Sequence, residues 1–171
     1  IVTYTGTGVA QNISHSLGGD VGFLLIKRTD SAGNWRCWNR GLPGTGSNME
    51  FNQTGAYETA TTVFNGTNPT STQFSVGTQS NRDGFLYDTA PTATEFTVGD
   101  GALSNTNGAT YVAYLFAHDT DASSLIKCGS LNISSQATVE VDLGWESQFV
   151  MLKPSSAVGN WFMFDTMRGM A

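Results

Sequence analysis

The sequence predicts an all-β protein of antiparallel strands, arranged as a sandwich or a barrel. Three observations predict it. Turn chemistry returns at short intervals, at Thr5-Gly6-Thr7-Gly8, Gly18-Gly19-Asp20, Ala32-Gly33-Asn34, Pro43-Gly44, Asn65-Gly66, Asp83-Gly84, Asp100-Gly101 and Asn107-Gly108. Strand-sized apolar segments lie between these turns. No segment keeps a helical period, and residues Gly55 to Thr62 have room for one helical turn at most.

The elements follow in order. Val21 to Ile26 is a nearly continuous apolar run, the pattern of a central strand buried on both faces. Thr29 to Asn34 then turns, with Asp30, Gly33 and Asn34 suited to positive φ, and Trp35 starts a return strand through Trp38, so residues 24–38 read as a hairpin. Phe74-Ser75-Val76, Phe96-Thr97-Val98 and Tyr111 to Phe116 complete the strand set.

Composition narrows the function. Of the 171 residues, 39% are hydrophobic and 11% aromatic, enough for a core and too many for a disordered chain. Only 13% are charged, about half the usual share, and the net charge is −6. The eight Lys and Arg are scattered, which argues against a phosphate-neutralising patch and so against nucleic acid. No run approaches the roughly 20 apolar residues of a membrane helix, so no membrane insertion is expected. Cys37 and Cys128 do not have zinc-site spacing; they read as buried free thiols, with a disulfide as the alternative.

The most specific signal is internal repetition. Leu17 to Lys27 matches Leu143 to Lys153, and the match runs on through Gly33-Asn34-Trp35 against Gly159-Asn160-Trp161, always 126 positions apart. After a small insertion Arg40-Gly41 meets Arg168-Gly169. On a smaller scale, Asn68 to Gly77 matches Ala90 to Gly99, each copy starting near a Pro and carrying Phe and Val two residues apart, on one strand face. The chain therefore divides into a β-sandwich repeat unit over 1–118, a linker over 119–125, and the start of a second, incomplete unit over 126–171. Half a sandwich leaves an apolar face and open edges. The tail must pack on the first unit, pair with another chain, or continue into further sequence; pairing beyond the chain is the expectation.

The motifs resemble, in order, a repeat module of bacteriophage virion proteins. They are Tyr4-Thr5-Gly6-Thr7-Gly8, the Ile13-to-Gly18 segment with His15 and Leu17, Ile26-Lys27-Arg28, Ala32 to Trp35, Phe96 to Gly99, Asn107 to Tyr114, and Phe164-Asp165-Thr166-Met167-Arg168-Gly169. The departures are Asp20-Val21-Gly22, where the module often has Pro, and the duplicated stretch between Asn68 and Gly99. The resemblance covers nearly the whole chain. It implies a jelly-roll sandwich, concanavalin- or laminin-G-like, in a fibre, tail or capsid-surface protein. Its partners would be other virion proteins or copies of itself as a homo-oligomer, with a host-surface glycan as a further ligand.

Catalytic patterns are weak, and the sequence reads as non-enzymatic with no cofactor. Glu140 and Asp142 would share a strand face, as in retaining glycosidases on jelly-roll folds. Glu146 comes one residue late for that pattern, however, and the repeat places Ser14, Ser16 and Asp20 at the matching positions. His15 and His118 belong to no Ser-His-Asp order with a nucleophile elbow. His118-Asp119-Thr120-Asp121 lacks the Gly and bidentate acid of a calcium loop, so no metal is expected. Four Asn-x-Ser/Thr sites, at Asn12, Asn52, Asn65 and Asn132, arise readily in so Asn- and Thr-rich a chain. Trp35 and Trp161 recur in the repeat and read as structural. Trp145, on a turn where the first copy has Gly19, and Trp38 are the candidate ligand-stacking residues. The leading expectation is a structural and adhesive virion module; the alternatives are a carbohydrate-binding module of a secreted cellular protein and a jelly-roll glycosidase.

Overall fold

The computed structural model describes residues 1–42, 49–51, 90–119, 125–133 and 138–169. It is an all-β antiparallel fold. Nine strands are assigned there: β1 (Val2–Thr5), β2 (Gln11–Ser14), β3 (Val21–Arg28), β4 (Arg36–Asn39), β5 (Met49–Glu50), β6 (Glu95–Val98), β7 (Thr110–Ala117), β8 (Phe149–Leu152) and β9 (Phe162–Asp165). A 3₁₀ turn, Thr166–Arg168, follows β9. The expected Phe74–Val76 strand, the Gly55–Thr62 turn, the first copy of the small repeat, the turns at Gly44, Gly66 and Gly84, and most of the linker lie outside the described residues.

The central sheet runs β1-β7-β3-β4-β5, all neighbours antiparallel. A second sheet pairs β2 with β6, and a third pairs β8 with β9. Strand alternation sends Leu24 and Ile26 of β3 to one side of the central sheet and Phe23 and Leu25 to the other. On the first side they join Trp38, Tyr111 and Ala113 under Ile13, Phe96 and Val98 of the β2–β6 sheet. Full burial of a side chain such as Phe96 or Ile26 contributes roughly 2 kcal/mol. The paired Phe and Val read from the small repeat do face this core. Val21 joins the same cluster despite its parity, because the register shifts between Val21 and Phe23.

The other side of the central sheet buries Phe23, Leu25, Cys37 and Leu42, with Met151 of β8, Trp161 and Cys128 packed on them. The β-rich run Val21–Ile26 is thus covered on both faces, as its apolar continuity predicts. The cover on this second face comes from the tail itself. The Cys128–Ser130 segment comes so close that a Cβ on Gly22 would lie 2.8 Å from the Cys128 sulfur, and one on Gly41 would lie 2.3 Å from the Gly129 carbonyl carbon.

A polar anchor closes one end. The fully buried Asn105 side chain accepts from the Thr7 amide at 2.9 Å and from Gln11 Nε2 at 2.8 Å, and its Nδ2 donates to the Val9 carbonyl at 2.6 Å and to the Gly99 carbonyl. Gly6 fits here because its backbone runs against Thr106, with hydrogen bonds to Ala109 and from Gly108.

Some local expectations are corrected. Gly33 does not adopt positive φ; its carbonyl accepts from Lys27 Nζ at 2.7 Å, which holds the turn instead. Glu140 and Asp142 share no strand face, since residues 138–143 form no strand and are mostly exposed; Asp142 accepts from the Gly144 amide at 2.8 Å. The cysteines are free thiols, Cys37 buried and Cys128 half-buried.

Candidate interaction surface

The two copies of the large repeat fold alike. In the first, Phe23 stands opposite Asn39, Leu24 opposite Trp38, Leu25 opposite Cys37 and Ile26 opposite Arg36. In the second, Phe149 stands opposite Asp165, Val150 opposite Phe164, Met151 opposite Met163 and Leu152 opposite Phe162. Each pair of the second hairpin lies 126 positions beyond its counterpart. The entry turns agree too: Gly18 has φ 80° and Gly144 has φ 76°. So does the closing hydrogen bond, Arg40 N–H to the Gly22 carbonyl at 3.0 Å and Thr166 N–H to the Gln148 carbonyl at 3.1 Å.

The hairpins meet through equivalent faces. Leu25 and its counterpart Met151, and Trp35 and its counterpart Trp161, sit in one cluster, where Trp161 packs on Phe51 at 4.8 Å between ring centroids and Trp35 on Tyr114 at 6.1 Å. The opposite faces have different fates. Leu24, Ile26, Arg36 and Trp38 are 0%, 0%, 8% and 6% exposed. Of their counterparts, Val150 is half-buried, while Leu152, Phe162 and Phe164 are 40%, 50% and 45% exposed. Phe149 and Met163, on the face that carries Met151, are 54% and 52% exposed. Exposed apolar side chains grouped on one strand face mark an interaction site more often than singly scattered ones do. The sequence signal was available: Phe149 to Leu152 and Trp161 to Phe164 are apolar at every position, the pattern of strands covered on both faces.

Below the hairpin, Asp165 caps the 3₁₀ turn, accepting from Arg168 N at 2.9 Å and pairing with its guanidinium, which holds the Asp165 carboxyl below its usual range. This is the fold of the Phe164-to-Gly169 motif, and Gly169 ends it with φ 98°.

The stacking candidates separate. Trp38 lies inside the β2–β6 core and offers no face to a ligand, because its place opposite Leu24 puts it on the buried side. Trp145 is half-buried on the bend after Gly144 and stays available in part. Trp38 and Trp145 are not brought together in one hydrophobic cluster.

A shallow hollow of about 450 Å³ lies between Leu17–Asp20 and Ala117–Asp119. His118 Nδ1 accepts from the Cys128 amide at 3.1 Å, and burial with nearby Arg40 keeps the imidazole pKa low. Burial also lowers the His15 pKa; its Nδ1 accepts from the Leu17 amide at 3.3 Å and its ring stacks on Phe96. Burial pushes the Cys128 thiol up to about 11. Among the described residues no three His, Cys, Asp or Glu side chains converge as a metal site, and no helix is long and apolar enough to cross a membrane. Thr120 and Asp121 of the His118 motif lie outside the described residues, as do Asn52 and Asn65.

A family model described as a domain of unknown function (DUF7483) matches residues 1–87 and again residues 77–171. No curated protein and no solved structure matches the chain.

Proposed function

The chain belongs to the family described as a domain of unknown function (DUF7483), and we propose that it serves as a non-enzymatic structural and adhesive module that assembles with other units into the surface of a bacteriophage particle. The observation that carries the assembly part is the duplicated hairpin. One polypeptide repeats the same strand pairing, packs Leu25 and its counterpart Met151 in one cluster, and leaves Leu152, Phe162 and Phe164 exposed on the second copy's other face. Units built to add to one another have this form. The particle setting rests on the motif order from Tyr4 to Gly169, which resembles virion repeat modules of fibres, tails and capsid surfaces. The jelly-roll path, the homo-oligomeric state and contact with host-surface glycans belong to the same reading. In an array, weak glycan contacts add by avidity.

The test is location. Mass spectrometry and immunogold labelling of purified particles should find the chain on their exterior. Its absence from particles, together with saturable glycan-array binding by the isolated chain, would favour a carbohydrate-binding module of a secreted protein. Half-exposed Trp145 is the observation that keeps this second reading in play.

A further inference from the structure

We infer that the outer edge of β8 is an acceptor for one extended strand of the β7 type, the sequence class of Thr110–Ala117, supplied by another repeat unit. This deepens the assembly reading above and rests on it. The two hairpins share one register. In the first unit β3 lies between two strands, β4 and β7. Its β7 side pairs Phe23 with Phe116, Leu24 with Leu115, Leu25 with Tyr114 and Ile26 with Ala113. In the second unit the β4 side is reproduced by β9, while no described residue pairs with the other side of β8.

Main-chain geometry says which groups are on offer. The Gln148 carbonyl accepts from Thr166 on the β9 side. Main-chain groups alternate sides along an antiparallel strand, so those of Phe149 and Met151 face outward. The edge also lacks the usual devices that keep edges solitary. Phe149 to Leu152 holds no charge and no Pro, and the first of either is Lys153-Pro154. The edge of the central sheet at β1 differs, with Thr3 and Thr5 exposed along it. Transferred by 126 positions, the β3–β7 register sets an incoming Phe-Leu-Tyr-Ala opposite Phe149, Val150, Met151 and Leu152. The incoming Leu and Ala would then extend the apolar stripe formed by half-buried Val150 and exposed Leu152. This is strand addition, with main-chain bonds supplying affinity and alternate side chains supplying selectivity.

The probe is a synthetic peptide of residues Asn107–His118 with solubilising Lys residues at both ends, added to the whole chain. Binding is read by fluorescence anisotropy and by residue-resolved hydrogen exchange. Saturable binding is expected, with the Phe149 and Met151 amides slowed at least tenfold and the Val150 amide, already turned to β9, unchanged. A peptide with Leu115→Lys should bind at least tenfold more weakly. On the acceptor, Met151→Pro should abolish binding. Because that change can also unfold the hairpin, Leu152→Lys at a half-exposed position serves as the second variant, with an expected tenfold loss. Unprotected Phe149 and Met151 amides at saturating peptide would overturn the inference. So would amides already protected in the peptide-free monomer, which would mean that the chain covers its own edge. Protection that grows with chain concentration alone would assign the edge to β8 of a second copy and would equally overturn it. Particle location can stand while these amides stay exposed, so the two readings fail separately.

Discussion

Replacing Asn105 tests how the fold's irregular end is held. The side chain is fully buried and makes four hydrogen bonds, two accepted and two donated, to Thr7, Gln11, Val9 and Gly99. At about 1 kcal/mol net for each bond, with at least about 1 kcal/mol more for the buried Gly99 carbonyl left alone, Asn105→Ala should cost about 5 kcal/mol. That is a large share of the roughly 5–15 kcal/mol that holds a domain together. Asn105→Asp is nearly isosteric and separates shape from chemistry. It keeps the acceptor for Thr7 and Gln11 but sets an oxygen against two carbonyls. That arrangement favours the protonated acid, so the folded pKa rises above the unfolded value of about 3.9. The stability of a group with a raised pKa is present below the unfolded pKa and lost as pH climbs through the folded one. The Asp variant should therefore lie within about 1–2 kcal/mol of the parent at pH about 4 and fall further behind by pH about 7. Urea unfolding at both pH values, read as variant minus parent, measures this. An Ala variant within about 1 kcal/mol of the parent, or an Asp penalty that does not grow with pH, would refute the account.

Three further outcomes follow from the packing and burial described. Gly41→Ala puts a methyl group into the Gly129 backbone and should release the tail, with a loss of roughly 1–3 kcal/mol and a red shift of Trp emission as Trp161 leaves Phe51; an unchanged spectrum and stability would contradict the docking described. His15 and His118 both have folded pKa values lowered from 6.5, so the unfolded chain takes up protons first and stability should fall as pH drops below about 6.5; the double variant His15→Gln/His118→Gln should flatten that part of the pH profile. With its thiol pushed up to about 11, Cys128 should alkylate at pH 8 about 100-fold more slowly than an unfolded cysteine, and equal rates in folded and denatured chains would count against its burial.

How far the sequence reveals this fold depends on whether a feature is local. Val21 to Ile26, Phe96 to Val98 and Tyr111 to Phe116 announce their strands because an apolar run or a two-residue alternation is readable within the segment. The hairpin at 24–38 and its copy are readable because repetition makes one stretch evidence for another. Asn105 was not readable: its partners Thr7, Val9 and Gln11 lie more than 90 positions away, and nothing in an Asn-rich chain marks this one. The misplacement of Trp38 has a different cause. Its opposition to Leu24 follows from the hairpin register, which depends on where the turn ends, and Trp35 to Trp38 alternate too weakly to show it. Residues 138–143 alternate like a strand yet form none, because alternation specifies a face only when another strand or layer is there to bury it.

The same holds for the largely exposed outer face of the second hairpin. In the first unit the corresponding face includes Arg36, and Ile13, Phe96 and Val98 cover its apolar neighbours. In the second, Phe162 replaces Arg36 and Phe164 replaces Trp38, so the copy is at least as apolar where it is less covered. Exposed aromatics contribute nothing to stability and promote association. Part of the hairpin's other face, at Met151 and Trp161, packs on the first unit. The proposed assembly accounts for the apolar character of the outer face by burying it against a further unit.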